Sequence, residues 1–290
     1  MNKVLILGAS GMLGSAALRV FAESGEFEVI GSIRSHASRA LFPADLQKHL
    51  VVAGDVENQD ALTQLFQSVR PQVVINCIGL IKQLDQASDP LNAIPINALL
   101  PHRIARLCDL VGARMVHVST DCVFSGRRGG YLESDFPDAE DLYGRSKLLG
   151  EVDYPHAITL RTSIIGHELG SANGLIAWFL QQKTSCNGYT KTTFSGLPTV
   201  ELARVMRDVV LPQPSLHGLY HVASAPINKY ELLKMVAEIY RKDIQIVPDD
   251  KLVMDRSLNA DRFAAATGYV APSWPDLVRL MHSYAGASHV

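Results

Sequence analysis

Apolar and polar positions follow two different rhythms along the chain. Over roughly the first 165 residues, short runs rich in Val, Ile and Leu alternate with longer runs whose apolar positions recur at helical spacing. The short runs, Lys3–Leu7, Glu28–Ile33, Leu50–Val52, Gln72–Asn76, Arg114–Ser119 and Ala157–Arg161, predict strands. The longer ones, Met12–Glu23, Asp60–Val69, Ile96–Leu110 and Leu142–Glu151, predict helices. VLIL, VVIN, MVHVS and ITLRTS are nearly continuous in apolar or β-branched residues, as strands covered on both faces must be. This alternation predicts an α/β fold, a Rossmann-type doubly wound parallel sheet.

From residue 166 the rhythm breaks. Helical patterns appear at Leu175–Gln182, Thr199–Val210, Lys229–Arg241, Asn259–Thr267 and Trp274–Tyr284, with short strands expected at Gly218–Val222 and Ile244–Val247. Pro212, Pro214, Pro226, Pro272 and Pro275 mark turns between them. The expected division is a dinucleotide-binding domain over 1–165 and a smaller substrate lobe over 166–290, with some segments of the second returning to the first.

Composition narrows the functional classes. The 290 residues carry 27 Lys+Arg against 29 Asp+Glu, a net charge of −2. That balance gives no bulk attraction for nucleic acid or an anionic membrane, and neither is expected as a partner. Any anionic ligand must be held by a few placed groups. Four cysteines, Cys77, Cys108, Cys122 and Cys186, form no CxxC pair and predict reduced thiols. MNKVLILGASGMLG reaches its glycines after four apolar residues, too few for a signal peptide, and no apolar run approaches the ~18 residues of a membrane helix. A cytoplasmic location is expected.

The first strand runs into Gly8-Ala9-Ser10-Gly11-Met12-Leu13-Gly14, which opens directly into a helix. Glycines there permit a tight turn and close backbone approach to a pyrophosphate, while the helix N-terminus supplies N–H donors. The spacing is GxxGxxG, and its place between strand and helix is what makes it informative. Where an NAD-preferring site carries an acid after the second strand, this chain has Arg34. A guanidinium fork suits a ribose 2′-phosphate, so NADPH is expected before NADH; the alternative is a solvated surface arginine. Asp55 and Val56 follow the third strand, where an acid can meet the adenine amino group or simply cap a helix. Cys77, Ile78 and Gly79 follow the fourth, and their backbone is expected to line the cofactor trough.

Strand five ends in Ser119-Thr120-Asp121-Cys122, and Tyr143-Gly144-Arg145-Ser146-Lys147 lies some twenty residues on. Positions i and i+4 share one helix face, so the Lys147 ammonium is expected beside the Tyr143 phenol, favouring its phenolate. The same spacing recurs at Tyr230 and Lys234, where Tyr230, Leu233, Val236 and Ala237 read as a packing face. His167-Glu168 lacks the second histidine of a zinc motif, and no metal site is expected.

GASGMLG, INCIG, STDCVFSG, YGRSKLLGE and LRTSIIG, in that order, resemble the extended short-chain dehydrogenase/reductases. STDCVFSG with YGRSKLLGE is most similar to the dTDP-4-dehydrorhamnose reductase branch. The resemblance implies a catalytic triad of Thr120, Tyr143 and Lys147, with Asn97 supporting the geometry of the site. It further implies a nucleoside-diphosphate sugar as substrate, reduction of a 4-keto group by NADPH, and a homodimer. Thr120, Asp121, Cys122 and Arg256 are candidate substrate contacts, Arg256 at the diphosphate or else in a surface ion pair with Asp255 or Asp261, and Lys82, just past the fourth strand, is a further candidate near the sugar by its position. The turn Gly196–Thr199, leading to Glu201, resembles another sugar-nucleotide contact. The branch usually reads STDYVF, so contacts made by that tyrosine do not carry over to Cys122. Two other readings share the fold: an epimerase holding NAD, and a regulatory protein similar to a subunit of methionine adenosyltransferase. A dehydratase fits less well, because its Thr-Asp-Glu pattern meets Cys122 here.

Overall fold

The structure is a computed structural model that describes residues 2–81 and 85–286. Its main sheet has seven strands: β1 (Asn2–Leu7), β2 (Phe27–Ile33), β3 (Leu50–Val52), β4 (Val73–Asn76), β5 (Arg114–Thr120), β6 (Ala157–Thr162) and, much later in the chain, β11 (Gly218–His221). Their order is β11-β6-β5-β4-β1-β2-β3, and every pairing is parallel. The doubly wound fold read from the sequence is therefore present. Direction of travel reverses between β1 and β4, and the crevice beyond their carboxyl ends is where such sheets bind ligands.

The strand pattern has a direct physical reading. Val4 and Ile6 enter one apolar core while Leu5 and Leu7 enter the other, and β4 divides Val73 and Ile75 from Val74 in the same way. Successive side chains point to opposite faces, so both faces need cover. The helix Met12–Ser24 covers one with Leu13, Ala17, Leu18 and Phe21; Gln59–Val69 covers the other with Leu62, Leu65 and Phe66.

Two predicted helices carry a wider turn. Ile96–Leu110 becomes Pro90–Ala93, a π-helical turn Ile94–Leu99, and Leu100–Val111; Thr199–Val210 is α-helical to Arg204 and π-helical over Val205–Val210. The rest of the chain adds short strands that periodicity did not reveal: β7 (Ile164–Ile165), β8 (Ser185–Tyr189), β9 (Thr192–Phe194), β10 (Leu197–Pro198), β12 (Ile227–Asn228) and β14 (Met254–Asp255). The expected Ile244–Val247 is β13 (Gln245–Asp249). β12, β9 and β14 form one small sheet, which carries Lys229 and Arg256, each next after its strand, towards the end of β5.

Candidate active site

The loop after β1 is built for close approach. Gly8 has φ 77°, and a Cβ at Gly14 would overlap the Gly8 carbonyl oxygen. Gly11 N–H donates to that carbonyl at 3.0 Å, and Ala9 N–H ties the loop to Ser32 on β2 at 2.9 Å. Gly11 caps the helix with no side-chain acceptor, leaving its first N–H groups to a ligand. Ser10, Met12 and Leu13 lie in the same turn, Leu13 buried and Ser10 and Met12 half-buried. These residues fit a dinucleotide pyrophosphate: Gly14 lets the helix pack directly on the Gly8 turn, and the exposed Gly11 leaves the uncapped N–H groups open to it. Arg34 is exposed beyond β2 and makes no hydrogen bond or ion pair among the described residues.

On the other side of the crevice, Ile78 N–H donates to Asn76 Oδ1 at 3.1 Å, and Gly79 is exposed beside Asn97 and Lys147. Burial pushes the Cys77 thiol up to about 12, so it stays protonated. Asp55 is exposed and accepts from Glu57 N–H at 3.0 Å; Asn58, not Asp55, caps the following helix, and Val56 packs on the core. Lys82 lies outside the described residues.

Thr120, Asp121 and Lys147 are buried together where β5 ends. Asp141 caps the helix Leu142–Leu149 by accepting from Gly144 N–H at 2.7 Å, and a Cβ at Gly144 would overlap the Cys122 carbonyl. The helix is thereby pressed against the turn that follows Thr120. Lys147 Nζ donates to the Val118 carbonyl at 2.9 Å. Burial lowers its pKa to about 8, opposed by Glu151 and Cys77. Tyr143 moves opposite to the expectation from its neighbouring ammonium: its phenol is raised above the ordinary value. Burial is the largest cause, Cys122 and Asp121 add to it, and the Thr120 hydroxyl opposes it. Desolvation of the phenolate outweighs the i+4 ammonium, which is engaged by a β5 carbonyl.

Asn97 joins two parts of the site. Its Oδ1 accepts from Leu80 N–H at 2.9 Å, and its Nδ2 donates to Ser146 Oγ at 3.2 Å on the helix Leu142–Leu149. The π-turn sets it there, and a Cβ at Gly150 would overlap its carbonyl. Asn97→Ala leaves the buried Leu80 N–H without its acceptor, an expected loss of about 1–3 kcal/mol by urea denaturation.

Two cations complete the cleft. Arg256 forms no ion pair with Asp255 or Asp261; its Nε donates to the Phe124 carbonyl at 2.9 Å and a terminal nitrogen approaches Cys122 Sγ at 3.3 Å. Lys229, which sequence reasoning missed, lies with its Nζ 3.7 Å from the Phe194 ring centroid. Burial raises Asp121, and Arg256 and Lys229 oppose that rise. One signal was available in the sequence: a lysine at the first position of a helix opposes the helix dipole.

The family model of the RmlD substrate binding domain matches residues 1–262. The chain belongs to this family. It is 33% identical to the probable low-salt glycan biosynthesis reductase Agl14 of Haloferax volcanii, over 88% of this chain and 84% of that protein. It is 28% identical to methionine adenosyltransferase 2 subunit beta of Danio rerio, over 82% of this chain and 74% of that protein. A crystal structure of dTDP-4-dehydrorhamnose reductase from Bacillus anthracis str. Ames, in complex with NADP, has a TM-score of 0.80 at 22% identity, covering 98% of this chain and 100% of that chain. At that identity the likeness establishes the fold.

Within this RmlD-type framework the remaining sequence candidates lie elsewhere. Lys234 Nζ lies 5.2 Å from the Tyr230 ring centroid on the Lys229–Ile239 helix, and Tyr230 packs against Gly188 of β8. His167 Nε2 bonds the Tyr240 hydroxyl at 2.9 Å. Glu201 is buried and accepts from the Tyr269 hydroxyl at 2.9 Å, so it braces the fold.

Proposed function

We propose that this protein reduces the keto group of a 4-keto-6-deoxy sugar nucleotide with NADPH. The single observation that carries the reading is the cluster at the end of β5, in which buried Thr120 and Lys147 lie with half-buried Tyr143 at the dinucleotide crevice and the phenol is protonated. The glycine loop would hold the pyrophosphate, Arg34 the 2′-phosphate, and Cys77 to Gly79 the wall of the trough. Bound there, NADPH supplies the hydride for the keto carbon. Tyr143 is a proton donor, and its hydroxyl gives its proton to the sugar oxygen as negative charge develops on it. Thr120 donates to the same oxygen, a second fixed dipole in a dry site. Lys147, charged below about pH 8, holds ribose hydroxyls and replaces the electrostatic support that Tyr143 loses with its proton.

Family membership and the Agl14 relative, named as a reductase, support this reading. Residues 1–165 then serve mainly the cofactor and 166–290 mainly the sugar. The proposal includes a cytoplasmic homodimer, with four free thiols consistent with a reducing compartment. No helix among the described residues is long and apolar enough to cross a membrane. The deciding experiment is steady loss of NADPH absorbance on addition of a 4-keto sugar nucleotide. Tight NADPH binding with no oxidation would favour a regulatory role without turnover. An epimerase would recycle its NAD with no net oxidation.

Arg34 supports a dissociable NADPH. In Arg34→Ala, NADPH affinity is expected to fall about tenfold or more with NADH affinity unchanged, read by fluorescence titration of both cofactors. Equal NADPH affinity in the two proteins would refute the assignment.

A further inference from the structure

Lys229 is a cation in the catalytic cleft to which the mechanism above gives no task. It begins the helix Lys229–Ile239 and is half-buried, with its ammonium over the Phe194 ring. Among the described residues no hydrogen bond or ion pair reaches it. Burial takes its pKa down to about 8, while Asp121 and Cys122 pull the other way.

Two costs attend this placement. A positive charge at the first helical position opposes the dipole, and a desolvated ammonium whose partner is a ring face loses hydration without gaining an acceptor. The Phe194 ring and the Asp121 charge offset part of this, but among the described residues no acceptor takes a hydrogen bond from the ammonium, which is the condition of a donor set aside for a ligand. Arg256 stands on the same side of the cleft, its guanidinium at Cys122 Sγ and its charge felt, with that of Lys229, at Asp121. Asp121 and Cys122 directly follow Thr120, and the helix that carries Tyr143 packs at Gly144 on the Cys122 carbonyl, so this corner borders the reacting centre. Two cations against one carboxylate leave this corner positive, in a chain whose net charge is −2.

We propose that Lys229 is a specificity-determining ligand for an oxyanion of the substrate, held jointly with Arg256 beside the reacting carbonyl. The inference rests on the sugar-nucleotide reading and adds to it a residue and a ligand chemistry. The oxyanion is either a phosphate of the nucleoside diphosphate or a carboxylate on the sugar, since an ammonium and a guanidinium serve both.

The test is calorimetric titration of the NADPH-saturated protein with UDP, dTDP, CDP, GDP and ADP, then with the glucose and glucuronate conjugates of whichever binds best. Lys229→Gln is expected to weaken binding about tenfold or more. If phosphate is the ligand, the diphosphate and both conjugates weaken together; if carboxylate is, the glucuronate conjugate alone weakens. Lys229→Arg keeps the charge and should stay within about threefold of the unaltered protein. Lys229→Met removes a half-buried charge that has no hydrogen-bond acceptor among the described residues and keeps an apolar side chain over Phe194, so it is expected to melt no lower than the unaltered protein, separating lost affinity from lost fold. Affinities of Lys229→Gln within about twofold for every ligand would overturn the inference. An unaltered protein that binds NADPH but none of these nucleotides would overturn the sugar-nucleotide reading itself, and the inference with it.

Discussion

Tyr143→Phe is expected to retain NADPH binding and to lower turnover by about 10²- to 10⁴-fold, the span for loss of a positioned general acid. The substitution removes one hydroxyl and leaves the ring that fills the cleft. In the proposed mechanism it removes the proton that the nascent alkoxide would take, from a phenol that burial moves further from ionisation. Thr120 can still donate to the oxygen, but its hydroxyl is shared with Asp121 at 3.2 Å and accepts from Cys122 N–H at 3.1 Å. Steady-state rates with a 4-keto sugar nucleotide, alongside NADPH titration, check the expectation. Near-normal turnover would remove Tyr143 from the mechanism and leave the cluster as structure.

Glu151→Ala is expected to have the largest effect on stability. Glu151 Oε1 accepts from Ser119 Oγ at 2.7 Å and Arg161 Nε at 2.6 Å, while Oε2 accepts from another Arg161 nitrogen at 2.6 Å. The Arg161 side chain is 3% exposed, so losing the carboxylate strands a buried guanidinium beside the Phe124 ring. Breaking such a pair costs about 3–5 kcal/mol, well above the effect of a surface ion pair, and urea denaturation reads it directly. A loss below about 1 kcal/mol would mean that water or a shifted partner satisfies Arg161.

The same carboxylate reaches the chemistry through Lys147. Glu151 raises the Lys147 pKa against the larger effect of burial, which brings it to about 8. In Glu151→Gln, which keeps the shape of the side chain, that support is gone and the ammonium is lost at lower pH. The alkaline limb of the kcat/KM profile is therefore expected to move to lower pH, with the acid side little changed.

Much of the fold was legible because its causes are local. β1 and β4 read as continuous apolar runs because each strand feeds two cores, and the glycine loop announced itself by lying between a strand and a helix. Tyr143 and Lys147 were found by spacing on one helix. The short strands were missed because two or three residues carry no period, and β9, β12 and β14 are defined by partners far away in the chain. The π-turn at Asn97 was missed for a similar reason, since its packing against Gly150 comes from another segment.

By itself, then, the sequence determined the doubly wound sheet, the glycine loop between strand and helix, and the helix that carries Tyr143 and Lys147, because periodicity, glycine placement and i+4 spacing are properties of neighbouring residues. Only the tertiary structure decided that Tyr143 keeps its proton and that Lys229 joins Arg256 at Asp121. Those outcomes depend on how much water is excluded and on which charges arrive from remote segments. Desolvation and long-range charge are summed over the folded surroundings, and no window of sequence contains that sum.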